Sequence, residues 1–276
     1  MLIVCPTPIG NLDDVTPRQR EALAGADVIA CEDSRRTGKL LERLGIDRTD
    51  GTPRLVSYHD HNARRRTPEL VDLLRDDETV VLVSDAGTPT VSDPGFRLVR
   101  AAHDAGLPVR ALPGPVAAIV ALSASGLPSD SFHFEGFLPA RQGRRLERLR
   151  ELAGLGVTIL LYESPGRVVD TLEDVVEAFG GDAEVCVARE LTKVHEEVLR
   201  GTAGALADEL AGRDRLRGEF VVVLAPGVER SAIEADALIA ALHDENLSPQ
   251  AIKRIVSAVT PLSGSQVWER LEQLKS

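Results

Sequence analysis

Five short stretches in the first half of this chain carry residue types that can do chemistry as well as pack. They are Thr7-Pro8-Ile9-Gly10-Asn11, Glu32-Asp33-Ser34-Arg35-Arg36-Thr37, His59-Asp60-His61-Asn62, Ser84-Asp85-Ala86-Gly87-Thr88-Pro89 and Pro113-Gly114-Pro115. The fourth is the richest. It sets a hydroxyl, a carboxylate, a glycine that permits close backbone approach and a proline that freezes the exit within six residues. No G-x-G-x-x-G follows the first strand and no G-x-x-x-x-G-K-[ST] occurs anywhere, so dinucleotide and phosphate-loop chemistry lose their main support. The loop then suits a ligand with hydroxyls or an amino group, or it is a tight turn with an Asp helix cap. Glu32-Asp33 with Arg35-Arg36 pairs carboxylate with guanidinium, able to act on a phosphate or a hydroxyl; the plainer alternative is an Asp cap followed by a solvated Arg face. His59 and His61 have no third ligand at metal spacing, so no metal is expected and His59 reads as a polar wall or substrate contact. Further on, Glu163, Arg167, Arg189, Glu190, Lys193 and His195 fall at strand ends, some of them as structural ion pairs. Arg141, Arg144, Arg145, Arg148 and Arg150 form a basic run interrupted by Gly143, either a solvated helix face or a mobile flap over an anionic substrate.

The elements that must position these residues alternate. Strands are predicted over 2–6, 27–31, 54–58, 79–84 and 108–112, with helices over 17–24, 36–44, 64–74, 96–105 and 115–123. Val80-Val81-Leu82-Val83 is an unbroken apolar run, the signature of a strand buried on both faces. Five such units make a parallel sheet covered on both sides, and the five chemical stretches all fall at its carboxyl ends, where such sheets bind ligands. The opposite ends, such as Gly25-Ala26 and Asp76-Asp77-Glu78, are ordinary turns. The pattern resets near 125–129. Closely spaced later strands predict a mixed sheet, and after 226 the sequence turns helical, with helices over 231–242, 249–258 and 266–274. The fold class is α/β: two α/β domains, a parallel sheet and then a mixed one, with a cleft between them and a small helical tail. The expected boundaries are 1–125, 126–227 and 228–276.

The totals limit the function. A net charge of −11 argues against a protein that coats nucleic acid indiscriminately, though not against a local basic surface. Aromatic residues are only 3% of the chain, so stacking platforms for bases are not expected. No apolar run is long enough to span a membrane, and the chain begins on a strand with no signal-peptide pattern. Cys5, Cys31 and Cys186 are sparse and far apart, consistent with reduced core thiols in a cytoplasmic protein.

Taken together, Thr7–Leu12, Glu32–Thr37, Ser57–Asn62, Ser84–Pro89 with Ser92–Gly95, Leu112–Pro115, Phe134–Pro139, Tyr162–Pro165, Ala188–Lys193 and Gly218–Phe220 resemble the ribosomal small-subunit RNA methyltransferase I family of the tetrapyrrole methylase superfamily. The resemblance runs in order from residue 2 to about 225. It implies S-adenosylmethionine bound between two α/β domains, a homodimer, and methylation of a cytidine ribose 2′-hydroxyl in 16S ribosomal RNA of the small ribosomal subunit. It assigns Pro8, Ser84, Asp85, Ala86, Gly87, Pro89, Ser92, Pro113, Gly114, Ala117, Leu191 and Gly218 to the cofactor. Because the ribose hydroxyl is a weak nucleophile, Glu32, Asp33 and Glu163 are the candidate base or orienting groups. Arg35, Arg36, His59, Arg144, Arg145, Arg189 and Lys193 are the candidate substrate contacts. Three positions depart from the family pattern: Thr90 replaces a small residue, Val116 a serine and Gly166 a histidine. A small-molecule methylase of the same superfamily and a non-catalytic RNA-binding protein remain as alternatives.

Overall fold

A computed structural model describes residues 1–226, 230–245, 247–260 and 262–274. The chain divides into two compact units. The first comprises Met1–Ser125 with Ala188–Val198 and Gly218–Val221, and the second comprises Gly126–Val187, Leu199–Arg217 and Val222–Ser276.

The first unit is built on β1 (Leu2–Val4), β2 (Val28–Cys31), β3 (Arg54–Ser57), β4 (Val80–Val83) and β5 (Val109–Ala111), in the order β3-β2-β4-β1-β5. All its pairings are parallel. The helices between them are α1 (Pro17–Ala24), α2 (Ser34–Arg43), α3 (Ala63–Arg75) and α4 (Phe96–Asp104), with α5 (Ala117–Ser125) following β5. Alternation along the strands explains why the central ones carry no polar face. Leu2, Val4, Val28, Ala30, Val80 and Leu82 pack with Leu70, Val71 and Leu74 of α3 and Leu98 and Ala102 of α4. Ile3, Cys5, Ile29, Cys31, Val81 and Val83 pack on the opposite face with Leu23 of α1 and Leu41 of α2. The two faces fix the topology at the sheet centre. The connection leaving β1 crosses through α1 toward β2, whereas the one leaving β4 crosses through α4 toward β5. Adjacent strands β1 and β4 therefore send their loops apart, which opens a crevice at their carboxyl ends.

The second sheet has the order β6-β7-β10-β8-β9. Its strands are β6 (Phe132–Phe137), β7 (Thr158–Glu163), β8 (Glu184–Arg189), β9 (Glu197–Thr202) and β10 (Phe220–Leu224), flanked by α6 (Gln142–Ala153), α7 (Val168–Phe179) and α8 (Ala203–Ala211). The structure corrects the reading of the basic run as a flap. It is helix α6, seated by buried Leu149 and Leu152. Arg145, expected at the substrate, is instead interior. Its Nε donates to Asp174 at 2.6 Å, Gln142 donates to the same carboxylate at 3.1 Å, and both Arg145 and Asp174 are almost fully buried. Arg144, next to it, is exposed. The tail forms α9 (Arg230–Asp244), α10 (Pro249–Val259) and α11 (Gly264–Gln273), sharing a small core of Ile239, Ile252, Val256, Val267 and Leu271.

The Arg145–Asp174 pair gives a stability prediction. Arg145→Met alone strands a carboxylate in the interior and should cost about 3–5 kcal/mol. Arg145→Met with Asp174→Leu, an apolar pair of similar volume, should recover most of that loss in urea unfolding. Equal destabilisation by the single and double variants would refute it.

Candidate functional site

The site is built from the loops that follow β1, β4 and β5. Thr7 and Gly87 form an antiparallel bridge, with Thr7 N–H donating to Gly87 O at 2.9 Å and Gly87 N–H to Thr7 O at 3.0 Å. The Thr7 hydroxyl adds a bond to Ser84 O at 3.2 Å. Gly87 has φ +82°, a conformation that favours glycine, and the space behind it is closed by Ile9 and Pro115. Thr88 Oγ1 donates to Pro115 O at 2.9 Å and Gln19 Nε2 to Pro113 O at 3.1 Å, so the β5 loop is tied to both neighbours. A Cβ on Gly114 would lie 2.2 Å from Pro6, so this loop sits against β1 only because residue 114 has no side chain. Ala86, Pro113 and Gly114 remain exposed, which leaves a ledge of open backbone.

Carboxylates gather at the ends of β2 and β4. Their parallel register pairs Cys31 with Val83 and, continued, sets Glu32 and Asp33 beside Ser84 and Asp85. Asp85 accepts from the Asp33 N–H at 3.1 Å and pairs with Arg36 at 3.1 Å. Asp33 caps α2 by accepting from the Arg35 N–H at 2.8 Å, and that bond holds its carboxyl below the ordinary range. Glu32 is pushed the other way, first by desolvation and then by the Asp85 charge. Asp93 is pushed up to about 6 by desolvation and by the Glu32 and Asp85 charges, against the lowering effect of a hydrogen bond from Ser84. Asp93 is a site residue that the sequence reading did not single out. Its signal was present in Ser92-Asp93-Pro94-Gly95, directly after the loop. The loop is strained there. Thr90 has φ +75° and Ser92 φ +59°, which gives a physical reason for the small residue expected at 90.

On the α2 side lies a cavity of about 260 Å³, lined by Thr7, Pro8, Ile9, Gly10 and Leu12 of the β1 loop and by Ser84, Asp85 and Ala86 of the β4 loop. Arg36, Thr37, Leu40 and Arg43 of α2 complete it with Lys193 and Glu219. Arg36, Leu40 and Arg43 stand at helical i, i+4, i+7 spacing, a pattern from which Arg43 was legible. Lys193 Nζ donates to Glu190 at 2.7 Å and Glu219 at 2.9 Å. Leu191 and Gly218 belong to the same compact unit as these loops. A Cβ on Gly218 would lie 2.4 Å from Glu190 Cγ.

The remaining expected site residues are placed as follows. Arg35 is solvent-exposed. His59 lies half-buried with Asn62 Nδ2 at 3.2 Å from its Nε2. Arg189 pairs with Glu197 at 3.6 Å. Glu163 lies in the second unit with a fully buried side chain. It accepts from Ser164 N–H at 2.7 Å and Thr171 Oγ1 at 2.8 Å, and Arg167 stands 3.4 Å away. Those bonds saturate it as an interior acceptor. Val116, immediately before α5, lacks the side-chain oxygen that a serine would bring there. Among the described residues no cluster of potential metal ligands occurs, and no helix is long and apolar enough to cross a membrane.

Comparison with known proteins gives the class. Residues 1–207 match the model of the Tetrapyrrole (Corrin/Porphyrin) Methylases. A solved structure of uroporphyrin-III C-methyltransferase from Thermus thermophilus, complexed with S-adenosylhomocysteine, shares the fold at a TM-score of 0.56 and 18% identity, over 81% of this chain and 96% of that one. The chain is 44% identical to the ribosomal RNA small subunit methyltransferase I of Mesorhizobium japonicum, over 99% of its own length and 92% of the relative's. It is 47% identical to the protein of the same name from Vibrio cholerae, over 81% and 76% of the two lengths. The chain belongs to the ribosomal RNA small subunit methyltransferase I family of the tetrapyrrole methylases, and it is a methyltransferase.

The raised Asp93 carboxyl gives a stability prediction with a definite sign. A carboxyl whose folded pKa lies above its unfolded one favours the fold at low pH and loses that contribution as pH rises toward about 6. Asp93→Asn should therefore match the wild type below pH ~4 and become more stable as the pH rises through 6. Above that the gain should level off at about 1 kcal/mol, reduced by partial exposure to solvent. Urea midpoints across this range test it, and a pH-independent difference would overturn it.

Proposed function

We propose that this chain transfers the methyl group of S-adenosylmethionine to the ribose 2′-hydroxyl of a cytidine in the 16S ribosomal RNA of the small subunit. The family names support the ribosomal RNA substrate, and a fold relative's complex with S-adenosylhomocysteine supports the donor. The observation that carries the chemistry is a carboxyl of raised proton affinity, Glu32, at the end of the strand beside the exposed-backbone ledge.

The ledge fits such a cofactor. Ala86, Pro113 and Gly114 offer open backbone groups, and Gly87 and Gly114 let their loops pack against Ile9, Pro115 and Pro6. Pro8, Ser84, Asp85, Pro89, Ser92, Ala117, Leu191 and Gly218 complete the set that would hold it. When bound, the sulfonium supplies an electrophilic methyl group. The protein's part is alignment and proton removal. Glu32 takes the hydroxyl proton as the C–O bond forms, and desolvation together with the Asp85 charge makes it a stronger base than an ordinary carboxylate. Asp33 is occupied as a helix cap, Asp85 by Arg36 and Asp93 by the Ser84 hydroxyl, and Glu32 is the base in this reading. Arg35, Arg36, His59, Arg144, Arg189 and Lys193 are the RNA-facing groups in this reading. The protein works in the cytoplasm as a homodimer, as the family resemblance implies.

Glu32→Gln should lower kcat for methyl transfer to 30S subunits by 10²–10⁴-fold at saturating cofactor, roughly the worth of a positioned base. Asp33→Asn, an equally good cap, should stay near wild type. Because Glu32 must be ionised, the rising limb of the wild-type pH profile should lie above the ordinary glutamate range. Wild-type turnover by Glu32→Gln would remove it as the base. Labelled methyl recovered in a small product and not in ribosomal RNA would overturn the whole reading.

A further inference from the structure

The cavity beside α2 shares Pro8, Ser84, Asp85 and Ala86 with the proposed cofactor set, and its other side has a construction that holding the cofactor does not require. Glu190 and Thr192 both adopt left-handed backbone, at φ +50° and +65°, costly for residues with side chains. Two glycines make room for this turn. A Cβ on Gly10 would meet Lys193 Cγ at 2.4 Å and Thr192 Oγ1 at 2.7 Å, and one on Gly218 would meet Glu190. The result is a lysine held at the cavity wall. Lys193 Nζ has three donors, and Glu190 and Glu219 use two of them. Burial works against its charge, but the hydrogen bonds to Glu190 and Glu219 outweigh that and hold its pKa above the ordinary lysine range. The third donor is left for a ligand. Thr192 Oγ1, packed against the same Gly10, is buried with no hydrogen-bond partner among the described residues.

The charge balance of the lining points the same way. Asp85 is matched by Arg36, while the Lys193 ammonium is shared by two carboxylates, Glu190 and Glu219. Arg43 is the remaining charge. It is exposed and makes no salt bridge among the described residues. Its position in the last turn of α2 suits the helix dipole, but that does not require it to line a cavity. The lining also includes the apolar residues Pro8, Ile9, Leu12 and Leu40. A space of about 260 Å³ that combines apolar residues with one arginine not committed to a carboxylate suits one nucleotide, with its base on the apolar residues and its phosphate at Arg43.

Building on the function proposed above, we infer that the α2-side cavity docks one nucleotide of the RNA substrate, its phosphodiester held by Arg43 and by the free donor of Lys193. The site specifies a position on the RNA, separate from the Glu32 carboxyl that takes the proton.

The test uses the full-length protein and isolated 30S subunits. Arg43→Met and Lys193→Met should each raise KM for 30S by about tenfold, the worth of one charge-assisted contact. Each should flatten the dependence of log kcat/KM on log salt by about one phosphate contact. Both variants should bind S-adenosylhomocysteine as tightly as wild type in calorimetry. Lys39→Met, which removes a charge from α2 outside the cavity lining, should change none of these. If Arg43→Met and Lys193→Met lose S-adenosylhomocysteine instead, the cavity holds the cofactor carboxylate and the inference fails. Wild-type KM and salt slope in both variants would also overturn it. If the wild-type protein itself leaves 30S unmethylated, the functional reading has failed before this one is tested.

Discussion

Everything at the site depends on the two backbone hydrogen bonds between Thr7 and Gly87. Parallel strands normally part after their last ladder bond, and β1 and β4 must part, because their connections leave for opposite faces of the sheet. The Thr7–Gly87 bridge holds the two loops together for one more step before they separate. It turns a topological crevice into a defined ledge. The bridge needs φ +82° at Gly87, so a single residue without a Cβ decides whether the β4 loop can close onto the β1 loop.

Once the loops are fixed, electrostatics sorts the carboxylates that crowd beside them. Glu32, Asp33, Asp85 and Asp93 cannot all ionise cheaply in a half-buried space. The fold settles the competition with local partners. Asp33 becomes a helix cap, which lowers its proton affinity, and Asp85 takes Arg36 and a backbone N–H. Glu32 and Asp93 then feel the resulting negative field with less compensation, and their proton affinity rises. Desolvation raises both carboxyls first, and the charges of their neighbours add to it. Ser84 couples the two tasks. It is buried at the end of β4, hydrogen-bonds the carboxyl of Asp93, and lies 3.3 Å from the carbonyls of Ala86 and Gly87.

How much of this could be read in the sequence follows from which interactions are local. The parallel sheet was legible because Val80–Val83 is apolar at every position, and the strand-end loops because each carries Gly, Pro or charge. Asp33 as a cap was visible as one of two local readings. Arg145 was misread because its partner Asp174 lies 29 residues away, and only tertiary contact shows that a guanidinium in a basic run faces inward. Glu163 is held in the interior by Ser164, Arg167 and Thr171, the last one helix turn into the next element, which no strand-end pattern reveals. Asp93 is raised first by burial and then by Glu32 and Asp85, the former some 60 residues earlier, so its character exists only in the folded loop cluster. Contacts set by neighbours in sequence leave a local pattern; contacts set by partners far along the chain leave none.

The Lys193 turn is of that second kind. Ala188–Lys193 reads as a charged strand end, and nothing in its order distinguishes a structural ion pair from a ligand contact. The distinction lies in cost. An ion pair between Lys193 and Glu190, three residues apart, forms readily on an unstrained helix or turn. Here it is made through two left-handed residues and needs Gly10 and Gly218 as spacers from distant parts of the chain. Local strain of this type persists only where the surrounding structure over-determines it. An exposed or half-exposed ion pair contributes too little, at most about 1 kcal/mol, to offset two such residues. The ion pair alone therefore does not offset the strain of this turn.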